Sequence, residues 1–285
     1  MTNDNFEEEQ NSSIIIPNTP AIVFKEKTFG KTLIVSDLHI GYVYGRNKRG
    51  IVLPEAKRPE EDIFRLVEKI KPDRLIFLGD FKDEIFGTSH PIAGRIWKFL
   101  RELLEKTNVT IIKGNHDGKI EEIIPEEVEL IPAEGIRLVE DGTNKSIGMW
   151  HGHASPALDV WTADITISAH AHPAYSFQDE IGAKITQKVW VRAKWLNTEQ
   201  GKPDRVHIII PPFNRYIEGY SVDGEYFKTI VLMRDAIDFD NAEIFTLDGI
   251  LIGLLKDLQE NRRKLEGRLK NLRKEVKASK KKRKY

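Results

Sequence analysis

Three short apolar runs, Leu33 to Val35, Leu75 to Leu78 and Val109 to Ile112, each stop abruptly at a polar cluster. Two helix-period stretches separate them. Pro59-Glu60-Glu61-Asp62 puts proline and three acids where a helix starts, and the helix dipole favours them there. Ile63, Leu66, Val67 and Ile70 then fall on one helical face. A second helix is expected near Pro91 to Lys106, with Ile92, Ile96, Phe99, Leu100 and Leu103 on one face. Strand–helix–strand alternation restricts the chain to a largely parallel sheet covered by helices, with its polar groups gathered at the carboxyl ends of the strands.

What ends these runs is chemistry-bearing. The first delivers Asp37 and His39, the second Gly79-Asp80, the third Gly114-Asn115-His116-Asp117. If the first strand continues through its end, Asp37 and His39 point the same way by period-2 alternation. An oxygen and a nitrogen side by side suit one metal ion. Beyond Pro132 the apolar runs shorten: Ile136 to Val139, Ser146 to Trp150, Asp164 to Ser168, Val189 to Trp195 and His207 to Ile210. The second half therefore reads as strand-rich. Two of its runs again end in histidines, His151-Gly152-His153 and His170-Ala171-His172.

The flanks are plainer. Ile14 to Ile16 and Ala21 to Phe24 read as short strands joined by the turn Pro17-Asn18-Thr19-Pro20. Gly41 to Pro59, with Arg46, Lys48, Arg49, Lys57 and Arg58, reads as a long basic loop able to steer an anion. Residues 178–204 suggest a hairpin or excursion that helps choose substrate. From Asp248 a helix is expected, with Leu251, Leu254, Leu258, Leu265, Leu269, Leu272 and Val276 at three-, four- and seven-residue steps. The heptad phase slips between Leu258 and Leu265, so a regular coiled coil is not specified.

The chain has 44 basic and 44 acidic residues, but they are unevenly spread. From Lys256 to Tyr285 there are 14 Lys/Arg against 4 Asp/Glu, leaving 30 against 40 for everything before. An acidic body with a basic extension suggests an anionic partner, DNA, RNA or an acidic protein, for the extension, with a solvated helix or a leucine stripe folded onto the body as the alternatives. With no cysteine there is no disulfide framework and no thiolate site; any metal must be held by His, carboxylate, amide or water. The acidic start is unlike a secretory signal and no stretch reaches the length of a membrane span, so the default expectation is a cytoplasmic protein.

Six of the eight histidines sit in the polar clusters. Singly, each cluster has a bland reading as a turn or a satisfied hydrogen-bond pair. In order they read Asp37-x-His39, Gly79-Asp80, Gly114-Asn115-His116-Asp117, His151-Gly152-His153 and His170-x-His172. That series resembles the calcineurin-like metallophosphoesterases. Asp37 to Gly41, Gly50 to Pro54, His170 to Pro173 and Ile210-Pro211-Pro212-Phe213-Asn214 are similar to their DNA-ligase-associated phosphodiesterase branch. One departure is Ala169, where the pattern has glycine.

The resemblance implies an α/β fold: two packed mixed β-sheets flanked by helices in four layers, catalytic over residues 14–250, with a basic helical C-terminal extension over 251–285. It implies two divalent metal ions, manganese first, with iron, nickel, cobalt or zinc as alternatives. Asp80 would bridge them. Asp37, His39 and His172 would complete one site, and Asn115, His151 and His170 the other. His116 would act as general acid, and Asp117 would orient its imidazole. His153 is left between a ligand and a neighbour; His90 and His207 read as structural. The implied activity is phosphodiester hydrolysis by in-line attack of metal-activated hydroxide, on nucleotides or nucleic acid. A nuclease, a phosphomonoesterase, or a non-catalytic metal-binding partner in a repair or processing complex remain as alternatives.

Overall fold

A computed structural model of the protein describes residues 14–48, 50, 58–178, 181, 183–196 and 205–282. Arg49, Lys57, the stretch 50–54 apart from Gly50, and residues 197–204 of the expected excursion lie outside the described residues, as do Arg283 and Lys284 of the extension.

The first half forms one sheet. Its strands are β1 (Ile14–Ile15), β2 (Ala21–Glu26), β3 (Gly30–Val35), β4 (Arg74–Leu78), β5 (Asn108–Ile112) and β6 (Glu129–Ile131), ordered as they occur in the chain. β3, β4, β5 and β6 are parallel; β1 and β2 form an antiparallel edge. The connections carry α1 (Tyr42–Lys48), α2 (Pro59–Ile70) and α3 (His90–Leu104).

The second half forms the other sheet from β7 (Ile136–Val139), β8 (Ser146–Met149), β9 (Ile165–Ser168), β10 (Pro173–Gln178), β11 (Lys184–Lys194), β12 (Val206–Ile209) and β13 (Tyr220–Ser221), in spatial order β13-β10-β11-β12-β9-β8-β7. β14 (Glu243–Thr246) pairs with β11, and β15 (Leu251–Leu254) with β14. Its outer face carries α4 (Leu158–Trp161), α5 (Glu225–Ile230) and the start of α6 (Leu255–Lys282).

Alternation along the strands makes four layers. In β3 and β4, Leu33, Val35, Leu75 and Phe77 turn outward against Ile63, Ile96, Phe99 and Leu100 of the helices. Their neighbours Ile34, Ile76 and Leu78 turn inward against Ile147, Met149, Ile167 and Trp190 of the opposite sheet. All are buried, and each such apolar side chain contributes roughly 1.5–3 kcal/mol relative to leaving it in water. Trp190 is therefore core between the sheets, away from the surface where the sequence places it. Arg192, another residue of that expected excursion, pairs with Glu243 at 3.0 Å.

Two expectations fail locally. The loop after Gly41 is in part a helix, α1. Its signal was in the sequence: Arg46 lies over the Tyr42 ring and Lys48 over the Tyr44 ring, both at i,i+4 spacing. The terminal helix begins later than the leucine pattern suggests. Leu251 and Leu254 belong to β15, because that segment's backbone pairs with Glu243–Phe245 of β14.

Candidate metal centre

Six strands, β3, β4, β5, β8, β9 and β12, present their carboxyl ends at one edge of the sandwich, and each is followed by a loop with polar residues. The parallel register places Val35 beside Phe77 and Leu78 beside Ile112, so the first three loops start level. β8 and β9 do the same in the other sheet.

Asp37 and His39 do not continue the strand. Both adopt the left-handed conformation, at φ 52° and 46°, because their amides turn to the neighbouring loop. Asp37 N donates to Gly79 O at 3.1 Å and His39 N to Asp80 O at 2.9 Å. Asp80, His170 and His172 are left-handed too, at φ 49°, 62° and 44°. Such backbone is unfavourable for residues other than glycine and persists only where the surroundings enforce it. Ala169, by contrast, has no positive φ and is buried, which is why a methyl is tolerated where the family pattern has glycine.

Two glycines let the loops close. A Cβ on Gly79 would lie 2.2 Å from His151 Nδ1, and one on Gly114 would lie 2.2 Å from the Asp80 amide nitrogen.

These loops bring one ligand atom each from Asp37, His39, Asp80 and His172 within 4.8 Å of one another. Asp80, His151 and His170 form a second group under the same limit. Asp80 belongs to both groups, between two histidine sets. Asn115 lies between Gly114, which packs on Asp80, and His116, whose amide donates to Asp80 Oδ1 at 2.9 Å.

Asp37 Oδ2, both His39 nitrogens, Asn115 Oδ1 and His151 Nε2 are buried without a hydrogen-bond partner among the described residues. Each such orphan costs about 1–3 kcal/mol, and folded chains rarely concentrate them. The donor set is oxygen and nitrogen without sulfur, which fits divalent Mn, Fe, Co, Ni or Zn. His151 is ready for that role: its Nδ1 lies 2.9 Å from Leu78 O. A carbonyl only accepts, so Nδ1 carries a hydrogen and Nε2 is turned to the Asp80 carboxylate, 3.3 Å away.

The electrostatics agree. Burial pushes Asp37 up, but His172 and His151 beside it hold it below the usual carboxylate range. Asp80 is likewise raised by burial and more strongly lowered by His151, His39 and His116. Burial pulls the His151 imidazole down while the Asp80 and Asp37 carboxylates raise it to about 9. For His170, burial and the neighbouring His151 lower the value to about 4. The carboxylates are thus ionised and His170 is neutral, while His151 carries a proton that a bound cation would displace.

His116 stands at the mouth. Its Nδ1 lies 2.6 Å from Asp83 O, so that nitrogen donates, and Nε2 is 4.0 Å from Asp80 Oδ2. The expected contact from Asp117 to this ring is not made. The Asp117 carboxylate is fully buried and accepts from the amides of Phe81 at 3.0 Å, Lys82 at 3.2 Å and Gly114 at 2.8 Å. Its reach is taken up in tying the loop after β4 to the loop after β5, so the Asp83 carbonyl orients His116 instead.

Sequence reasoning missed four residues. Asp83 approaches His39 Nδ1 at 3.4 Å as well as holding His116. Lys82 is fully buried and donates to His116 O at 2.6 Å, Gly87 O at 3.2 Å and Glu84 O. Asn214 Nδ2 donates to Leu38 O at 2.7 Å, and Lys188 Nζ donates to Pro212 O and Asn214 O at 2.7 and 2.6 Å. The Ile210–Asn214 motif thereby braces the Asp37–His39 loop from the opposite sheet. Lys82 and Asp83 have a signal in their closeness to Gly79-Asp80, and Asn214 in the motif it ends; Lys188 has none. His153 rests beside the second group, 5.3 Å from the His151 ring, with its Nδ1 buried and unpartnered among the described residues.

A family model described as calcineurin-like phosphoesterase matches residues 30–239. No curated protein sequence matches the chain. Among solved structures, a nuclease MPE from Pseudomonas putida is similar at 15% identity and a TM-score of 0.48, over 83% of this chain and 88% of that one. The phosphoesterase Yfce from E. coli is similar at 15% identity and a TM-score of 0.38, over 78% and 96% of the two chains.

Proposed function

The chain belongs to the calcineurin-like phosphoesterase family, and from that premise we propose that it is a metal-dependent hydrolase of phosphodiester bonds. The observation that carries this is the pair of ligand groups meeting at Asp80 beside His116, a ring locked at Nδ1 with Nε2 on the cleft.

Asp37, His39 and His172 would hold one divalent cation and Asn115, His151 and His170 another, with Asp80 common to both. Such cations supply Lewis-acid charge to a phosphoryl group and lower the pKa of water toward neutrality. The side chains do the rest. Asp83 O keeps the His116 ring fixed, and His116 Nε2 holds the proton that passes to the leaving oxygen. The braces from Lys82 and Asn214 keep these loops in the orientation that positioning catalysis requires.

The charge of the cleft favours a diester. The site opens into a cleft of about 1100 Å³ whose lining includes Arg46 and Lys48 against Asp83, Glu84 and Glu218. A monoester dianion calls for a surplus of cations, and the described wall has two against three acids, whereas a diester carries one negative charge. Hydrolysis of bis(p-nitrophenyl) phosphate and of p-nitrophenyl phosphate, compared with added Mn²⁺, tests the reading. We expect the diester to be preferred. A strong monoester preference would make the protein a phosphatase, and inactivity on both with metal bound would end the enzymatic reading.

A further inference from the structure

The cleft poses a problem for a polyanionic substrate. Among the described residues its wall sets Asp83, Glu84 and Glu218 against Arg46 and Lys48 only, and the body as a whole carries a net negative charge. Positive charge is concentrated instead on α6, where 12 Lys/Arg face 4 Asp/Glu.

The root of α6 is fixed beside the cleft. Leu255 and Leu258 are buried in the outer core of the second sheet. Arg262 Nη1 donates to Asp223 Oδ1 at 2.6 Å and to Ser221 Oγ at 3.2 Å. Ser221 follows Tyr220, whose amide donates to His172 O at 2.8 Å and whose ring lies parallel to the His172 ring at 6.4 Å. Two contacts thus connect a candidate ligand to the base of the basic helix.

Beyond Arg262 none of the described side chains of α6 is buried, and Arg263, Arg268 and Lys270 are exposed with no ion pair among the described residues. Positions 263, 270, 274, 277 and 281 follow one another at seven, four, three and four residues, a single helical face, and all are Arg or Lys. Leucine or valine occupies 258, 265, 269, 272 and 276, on the other side. The cationic face spans about 27 Å at 1.5 Å per residue.

We propose that this face of α6 is a nucleic-acid arm: it holds the phosphate backbone of a polynucleotide and presents the strand to the adjacent cleft. Regularly spaced cations with no aromatic side chain among them suit phosphate contact, which needs charge and no base reading. A membrane-surface helix would need its leucine side free to enter the acyl layer. On α6 the apolar residues lie opposite the cations, and the first of them are packed on the body. The arm rests on the phosphodiesterase reading only for the fate of the bound strand.

Fluorescence anisotropy of a labelled 20-nucleotide DNA strand, with and without its complement, tests this on the metal-loaded protein in a His116→Ala background, with the strand checked on a gel. We expect a chain ending at Arg262, and separately the triple variant Arg263→Glu, Lys270→Glu and Lys274→Glu, to bind at least tenfold more weakly at 100 mM salt. The salt dependence should flatten by about 0.7 in log–log slope for each phosphate of a single strand that the variant no longer neutralises. Hydrolysis of bis(p-nitrophenyl) phosphate by the same variants with His116 intact should be unchanged. Equal affinity and slope in variant and parent would overturn the arm, as would polyglutamate or anionic vesicles competing as well as the strand. Cleavage of the strand in the His116→Ala background would instead refute the acid role of His116 and leave the arm standing.

Discussion

His116 and His207 show how differently the same side chain is used at the residue scale. His116 is tethered at Nδ1 by Asp83 O and open at Nε2. Replacing it by alanine should leave metal content intact and lower kcat on a diester by about 10²–10⁴-fold, the usual worth of a general acid. The loss should be greater for an alkyl than for a nitrophenyl leaving group, because the latter needs no proton. Loss of metal with loss of activity would reassign His116 to the ligands. His207 is buried between Thr166 Oγ1 at 2.9 Å and Ser168 Oγ at 3.0 Å, and burial lowers it to about 3. Between its ordinary value near 6.5 and 3 the unfolded chain binds a proton that the folded chain does not. Stability therefore falls as pH drops through that window, by up to about 1.4 kcal/mol per pH unit. Urea unfolding of His207→Gln should show a flatter acid slope between pH 6 and 4; parallel slopes would mean that the imidazole is not held neutral.

At the scale of elements, the site depends on loops that approach more closely than side chains allow. Gly114→Ala would drive a methyl into the Asp80 backbone. We expect it to weaken metal binding at least tenfold in calorimetry and to cost about 1–3 kcal/mol of stability; normal metal affinity would show that the loops can yield. Lys82→Met removes the ammonium that ties His116 O to the 84–87 loop. It leaves three buried or half-buried carbonyls short of a donor, at about 1–3 kcal/mol for an unsatisfied group. Turnover should fall, with metal content unchanged, because no candidate ligand touches Lys82 Nζ; unchanged kcat would limit Lys82 to a structural role.

Across the whole molecule, the edge where the two sheets meet gathers charge that apolar burial elsewhere must offset. A bound cation relieves it. At a hundredfold excess over Kd, one metal adds about 2.7 kcal/mol, so chelation should lower the melting temperature by roughly 5 °C, and Mn²⁺ should restore it. A melting curve indifferent to chelator and metal would disconnect the clusters from cation binding.

The sequence alone determined the strand–helix alternation of the first sheet and which polar residues end its strands. Period-2 and period-3.6 patterns depend on neighbours one turn or one pleat away, so β3, β4, β5, α2 and α3 were legible within three residues. The oxygen and nitrogen clusters were legible because polar residues ending an apolar run have no place in a core. Tyr42 and Tyr44 paired with Arg46 and Lys48 were legible in principle and went unread. Tertiary structure alone decided the left-handed turns at Asp37 and His39, which amide bonds to the neighbouring loop enforce. It moved Asp117 away from His116 and gave that ring to Asp83, and it set Asn214 and Lys188 as braces from more than a hundred residues away. Those outcomes depend on which loops become neighbours when two sheets pack, and no local spacing in the chain encodes that.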